Sequence, residues 1–176
     1  VSVKSISVVV ALISLMALSS CSNKLISVLV EDPKGNVELT YKGKEAPANL
    51  VKEIRYYANG DTLSVTPLKG SAVHGTVVSY HPGNLRKEEV AFVNGKQDGV
   101  FRKYDANGVL VFEGAMKNGL KEGVWTAWYD EVQMAEQRSY ANDVLHGKST
   151  YWYIDGELKR EEHYDSGKLI DAHDLK

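Results

Sequence analysis

The side chains able to do chemistry in this 176-residue chain are five histidines, 23 carboxylates and one cysteine. Metal binding or acid–base work would need several of them in one place. His74 and His146 hold the same position of a 24-residue period, with Asp98 and Glu122 at that position between them. Three periods separate the two histidines, so on stacked repeats they lie strands apart and cannot share an ion. The position reads as a polar turn element. His81, His163 and His173 show no ligand spacing of the kind that sets two imidazoles a helical turn apart. Glu89, Glu113 and Glu161 form a second ladder, with Gln137 in the third unit. A general acid or base needs a pocket and a tuned pKa; this row reads instead as an exposed set pairing with basic neighbours such as Arg102 and Lys103. No serine–histidine–acid set, phosphate-binding glycine loop or zinc motif is present. The chain reads as a non-enzyme without a cofactor.

The aromatics offer a different chemistry. Trp125 and Tyr129 are placed opposite Trp128 by strand alternation, and Tyr151 and Tyr153 oppose Trp152. If the sheet is a single layer, Trp125, Tyr129, Tyr151 and Tyr153 form an aromatic patch on its outer face. Flat rings with a polar handle suit stacking on sugars or anchoring a protein partner. The alternative is that a curled sheet or the C-terminal tail covers them. Charge is nearly balanced, 21 basic against 23 acidic residues, so no basic surface argues for nucleic acid. The unit 123–146 is the acidic one, with Asp130, Glu131, Glu136 and Asp143 against Arg138. That patch could select a basic partner, but solvated charge is the default reading.

The elements that position these residues are set by the period itself. Glycine recurs at Gly75, Gly99, Gly123 and Gly147, with an aromatic five residues on at Tyr80, Tyr104, Trp128 and Trp152. Phe92, Met116, Tyr140 and Tyr164 recur at a third position. A fixed period of this length marks a repeat architecture. Each unit reads as two strands: Val100 to Asp105, a turn at Asp105-Ala106-Asn107-Gly108, then Val109 to Met116, with Lys117-Asn118-Gly119 beginning the return. Asn-Gly permits the positive φ of a tight hairpin turn. The fourth unit repeats this from Lys148 to Tyr164, and the first turns at His81-Pro82-Gly83-Asn84, one residue shorter before the turn. The third lacks a turn glycine at Asp130-Glu131-Val132-Gln133 and carries Asp143 where others have glycine, so a looser or differently built turn is expected. Adjacent strands sit about 4.8 Å apart, which would stack the recurring aromatic and apolar residues into columns forming the core. The fold expected is all-β: an elongated antiparallel sheet of consecutive hairpin repeats.

Upstream, Ser27 to Val30 and Val37 to Tyr41 read as a capping hairpin around the turn signal Asp32-Pro33-Lys34-Gly35-Asn36. Glu45 to Asn49 is a break. Leu50, Ile54 and Tyr57 have helical spacing, yet Tyr56 and Gly60 lie two periods before Tyr104 and Gly108. A degenerate first repeat is the favoured reading. The organisation is thus 1–20, 21–50 as linker and hairpin, 51–170 as repeats, and a tail, 171–176, that should blunt the far edge.

Lys4 is the one charge before Cys21, and Ile6 to Leu18 is apolar but for Ser7 and Ser14. That run is short of the ~20 residues of a membrane span and fits the apolar core of a secretory signal. Its end, Leu18-Ser19-Ser20-Cys21, resembles the bacterial lipobox. The resemblance implies cleavage before Cys21, diacylglycerol on its thiol and an acylated amino terminus, anchoring the protein to a membrane. Neither Ser22 nor Asn23 is the aspartate that retains enteric-type lipoproteins at the inner membrane, so an outer-membrane lipoprotein of the bacterial envelope, facing periplasm or exterior, is expected.

The repeat runs Gly-x-Phe/Trp-x-x-Tyr/Trp, a turn, then Leu-x-x-Glu-x-x-Tyr/Met-x-x-Gly-x-x-x-Gly. It is carried by Gly99, Phe101, Tyr104, Leu110, Glu113, Met116, Gly119 and Gly123, and again from Gly147 through Trp152, Gly156, Leu158, Glu161, Tyr164 and Gly167. It resembles the bacterial MORN-variant repeat of proteins labelled YwqK-type antitoxins. The resemblance implies an interaction module in protein-binding or lipid-proximal roles. The function expected is a lipid-anchored, non-enzymatic protein-interaction scaffold, with an immunity-like variant of it. The alternative is a module that binds carbohydrate or an envelope polymer through its aromatics.

Overall fold

The computed structural model describes residues 24–31, 34–45 and 47–175. The leader, Cys21, Asp32-Pro33 of the first turn, Ala46 and Lys176 lie outside the described residues. Every long element is a strand. In chain order they are β1 (Leu25–Val30), β2 (Val37–Lys42), β3 (Leu50–Tyr56), β4 (Thr62–Lys69), β5 (Ala72–Val73), β6 (Gly75–Tyr80) and β7 (Arg86–Val93). Then come β8 (Lys96–Tyr104), β9 (Leu110–Lys117), β10 (Leu120–Trp128), β11 (Met134–Ala141), β12 (Val144–Trp152), β13 (Leu158–Asp165) and β14 (Lys168–Asp174). They form one antiparallel sheet in which each strand pairs with its sequence neighbour, short β5 pairing only with β4. At about 4.8 Å per step such a sheet is roughly 60 Å across. The expected all-β array of hairpins is therefore the fold, β1–β2 is the N-terminal hairpin, and Leu50–Tyr56 is a strand.

Two kinds of turn alternate. The tight ones hold two left-handed residues: Asn94-Gly95 (φ 49 and 82°), Asn118-Gly119 (53 and 90°), Asn142-Asp143 (51 and 68°) and Ser166-Gly167 (50 and 82°). Positive φ at both positions matches the right-handed twist of the flanking strands. The wider ones close from residue i to i+4: Tyr57 to Asp61, His81 to Leu85, Asp105 to Val109, Tyr129 to Gln133 and Tyr153 to Glu157, all with amide–carbonyl distances of 2.8–2.9 Å. These five closures keep the 24-residue period without a gap, so the first repeat begins in register at Tyr57 and the His81 turn is not shortened.

The sequence reading put the tight turn at Asn107-Gly108. It lies instead at Asn118-Gly119, which moves the start of the following strand to Leu120. The recurring glycine is consequently inside a strand: Gly99 and Gly123 have φ of 112 and 72°, and the β9–β10 register skips between Glu122 and Thr126. A glycine of positive φ there allows a bulge where a side chain would strain the backbone. The third unit's turn is built differently but not loosely. Asp130 Oδ1 accepts from the amides of Val132 and Gln133 at 3.0 and 2.8 Å, replacing the missing glycine with an Asx turn.

A tail was expected after Ile170. Residues 168–174 are instead β14, with Asp171 paired to His163 and Asp174 to Arg160.

Candidate functional site

The position preceding the recurring glycine has a job in every unit. His74 Nδ1 accepts from the Asn94 amide (3.4 Å), Asp98 from Asn118 (3.2 Å), Glu122 from Asn142 (3.1 Å) and His146 Nδ1 from Ser166 (3.4 Å). Each donor is the first left-handed residue of the next tight turn. The column chosen by its histidines is thus a series of turn caps that interlocks the repeats. An imidazole serves only with its acceptor nitrogen unprotonated. His163 and His173 line a shallow depression of about 170 Å³ with Lys148, Glu161 and Asp171. Lys148 pairs there with Glu161, and His173 with Asp171. Among the described residues no group of three or more histidine, cysteine or acidic side chains is placed to hold a metal ion.

The glutamate ladder pairs partly as expected. Arg102 binds Glu113 and approaches Glu89 at 3.7 Å, and Arg86 binds Glu89 at 2.9 Å. Lys103 alternates to the other face and takes no part in this row.

The aromatic columns fall on opposite faces. Trp125 pairs with Arg138 and Gly123 with Tyr140, so Tyr140 shares the face of Trp125. Trp128, with Tyr80, Tyr104 and Trp152 at its repeat position, alternates to the other. All four are only partly buried. The expectation that they and the Phe92–Tyr164 series together make the core is corrected: the most buried array side chains are Ser149, Trp125 and Val90, opposite Trp128, followed by Thr126 and Thr150 on the Trp128 face, and of the series Tyr140 packs on Trp125.

Trp125 is the largest correction. It was expected on an exposed patch, yet only 3% of it is accessible. Phe101, Phe112 and Tyr140 surround it with ring centroids at 5.4, 5.2 and 6.5 Å, and the Lys121 ammonium lies 4.8 Å from its centroid. Room for the indole comes from Gly114, where an added Cβ would fall 2.1 Å from the ring. Other units carry Val90, Arg138 and Glu162 at that position, so the glycine was a readable sign of a large neighbour.

Tyr129, Tyr151 and Tyr153 do not gather with it. Tyr151 shares the Trp125 face but is held by Glu162, to whose Oε2 its hydroxyl donates at 2.9 Å. Tyr129 and Tyr153 stand at the strand ends, 48% and 45% exposed. The Tyr129 hydroxyl donates to the Trp152 carbonyl at 3.1 Å, as Tyr57 does to Tyr80 at 2.8 Å. Tyr129 is therefore partly a tie between repeats. Tyr153 has Lys159 above its ring at 5.4 Å.

Sequence reasoning missed a polar cluster on the same face. Glu162 accepts from Tyr151 and Tyr164, both at 2.9 Å, and from Arg160 Nε at 2.7 Å, while Arg160 also reaches Asp174 at 2.8 Å. Burial alone would raise the Glu162 pKa; the three donors outweigh it and hold the carboxyl below its ordinary value. Burial, followed by the Glu162 hydrogen bond, pushes the Tyr151 hydroxyl up to about 12. Arg138 lies over the Tyr151 ring at 5.4 Å and binds Glu136 at 2.7 Å. Trp125 Nε1, Arg138 Nε and Ser149 Oγ are buried and find no hydrogen-bond partner among the described residues. The signal for this cluster was the column Val90, Gly114, Arg138, Glu162, whose change from apolar to charged is visible once its burial is known.

Two segments, residues 97–118 and 145–170, match the MORN repeat variant family. They cover the second and fourth hairpin units. A search of curated proteins finds no relative that matches the chain.

Proposed function

We propose that this protein is a non-enzymatic protein-interaction scaffold, tethered to a bacterial cell envelope through an acylated Cys21. MORN repeats serve in general as protein- or membrane-interaction modules. The observation that carries the reading is the open, single-layer sheet. Part of its charge is engaged in ion pairs and turn caps, as at Arg102–Glu113, Lys148–Glu161, Asp98 and Glu122, and its surface is long and regular. The partner we favour is basic, because Asp130 and Glu131 stand exposed together in the wide turn of the third unit. An immunity-like role, in which the partner is a toxin, is one form of this proposal. The anchor and an outer-membrane location rest on Leu18-Ser19-Ser20-Cys21. Labelled palmitate should enter the wild-type protein in a bacterial host and be lost in Cys21→Ser; equal labelling of both sinks the anchor. A pull-down from native membranes should recover a partner that Asp130→Lys with Glu131→Lys releases; recovery of none sinks the scaffold.

One observation favours a second reading. Tyr129 and Tyr153 are exposed rings one period apart, on strands two steps distant, and such rings suit stacking on a polysaccharide. Unaltered binding to cell-wall glycans in the Tyr129→Ala, Tyr153→Ala double variant ends that reading.

A further inference from the structure

A lysine stands where the array otherwise carries apolar or amide side chains. At one repeat position the chain reads Val73, Gln97, Lys121, Leu145 and Leu169. Around Lys121 three rings converge, Phe112 from β9, Trp125 from β10 and Tyr140 from β11. The equivalent positions around Gln97 hold Glu88, Phe101 and Met116, and those around Leu145 hold Glu136, Ser149 and Tyr164. The Lys121 Nζ lies 4.8 Å from the Trp125 centroid, 4.9 Å from Tyr140 and 5.8 Å from Phe112. All are within the roughly 6 Å over which a ring quadrupole attracts a cation. The planes of Trp125 and Tyr140 meet at 79°, and those of Trp125 and Phe112 at 47°, so the rings wall a corner rather than form a stack.

The corner suits a cation other than the one it holds. Lys121 bonds to Asp143 through its main-chain amide, at 2.6 Å, and among the described residues no acceptor takes a hydrogen from its ammonium. A lysine ammonium is strongly hydrated and has N–H donors to place, which ring faces do not satisfy. A cation whose charge is spread over methyl groups has no such donors and gives up less water on entering. The rings are fixed and the lysine is not. Trp125 is 3% accessible, seated over Gly114 and against Phe101. Lys121 is half-buried, on a flexible stem, and its head is held by the rings. We propose that Phe112, Trp125 and Tyr140 form a binding site for a quaternary ammonium group, which Lys121 fills as a tethered stand-in until such a group displaces it. A free trimethylammonium compound and the choline head group of a lipid present the same cation. The site goes beyond the scaffold reading and does not depend on it: Lys121 lies at the start of β10, and the acidic turn at Asp130 follows its end.

The test uses the full chain in a maltoside detergent, with tetramethylammonium chloride as probe and sodium chloride of equal strength as control. Ring currents should move the N-methyl proton resonance upfield on binding. Lys121→Ala should bind the probe about ten-fold more tightly than the wild type, because a tethered ammonium competes at high effective concentration. In the Lys121→Ala background, Tyr140→Leu and the milder Phe112→Leu should each weaken binding about five-fold, and n-butylammonium should bind more weakly than the probe. Phosphatidylcholine added to the micelles separates the sources: its binding marks a lipid head group, and binding of the soluble probe alone marks a free ligand; either fulfils the proposal. Four results overturn it: no upfield shift in Lys121→Ala, a shift that both ring variants leave unchanged, equal affinity for n-butylammonium, or a wild type that no probe concentration shifts, which would make Lys121 a permanent plug.

Discussion

Strands β7–β10 and strands β11–β14 follow one register and one pattern of turns, but they fill the Trp125 face with opposite chemistry. In the first group Val90, Phe101, Phe112 and Trp125 pack against each other. In the second, the same repeat positions hold Arg138, Ser149, Arg160 and Glu162, with Tyr151 beside them. The difference shows that main-chain ladders and turn caps carry the repeat, while the side-chain columns are free to change from apolar to ion-paired. The two groups should then fail for different reasons. The aromatic group depends on packing volume, the polar group on protonation and on every donor keeping its acceptor.

The largest test of that contrast is Trp125→Ala. Emptying a site enclosed by three rings should cost about 3–5 kcal/mol in urea unfolding. A loss under ~1 kcal/mol would mean that the aromatic group is no better packed than the rest. Glu162→Ala comes next. It strips the acceptor from Tyr151, Tyr164 and Arg160, and should cost about 2–3 kcal/mol; little change would mean that the three donors find water instead.

Acid and base sharpen the same comparison. The Glu162 pKa is lowered by folding, so its contribution is present above the unfolded carboxyl value of about 4.3 and is lost as pH falls through the folded value. Tyr151, raised to about 12, contributes below its unfolded value near 10 and loses that contribution as pH climbs toward 12. Tyr41, Tyr56, Tyr104 and Tyr164 are raised as well, so a tyrosine absorbance titration should show a broad late rise whose component near pH 12 Tyr151→Phe deletes. The acid loss should weaken in Glu162→Gln. Neither step should change in a Phe112→Leu variant. The smallest effect belongs to Ser149→Ala. Its hydroxyl is fully buried and has no partner among the described residues, so stability should stay level or rise within about 1 kcal/mol. A clear loss would reveal a partner that the geometry does not account for.

The period was the most legible part of the sequence, because turn glycines and recurring aromatics are backbone requirements repeated at a fixed spacing. Strand identity at Leu50–Tyr56 followed from the same register despite its helical spacing. Turn placement was less legible. Asn107-Gly108 and Asn118-Gly119 are the same dipeptide, and only the pairing partners decide which one makes the two-residue turn. Burial was least legible. Trp125 and Trp128 are equally apolar, and the local pattern does not say that Phe101, Phe112 and the space above Gly114 converge on one of them. The outward aromatic patch failed for that reason, while Tyr129 and Tyr153 kept their exposure.

The turn caps run in one direction along the chain. The acceptors His74, Asp98, Glu122 and His146 each precede their amide donor by 20 residues, and the main-chain bonds from Gly95, Gly119, Asp143 and Gly167 reach back in the same sense. The tight turn of each new hairpin is therefore capped by a residue already laid down, even where other ties, such as Asp143 on the Lys121 amide, run forward. A nascent chain leaving the ribosome amino end first would find each template waiting, so growth of the array can keep pace with synthesis. Shortening from the carboxyl end would cost the earlier units only the ties that later residues supply, such as Asp143 on the Lys121 amide and Trp152 on the Tyr129 hydroxyl, whereas excising an early unit would strip the next of its caps.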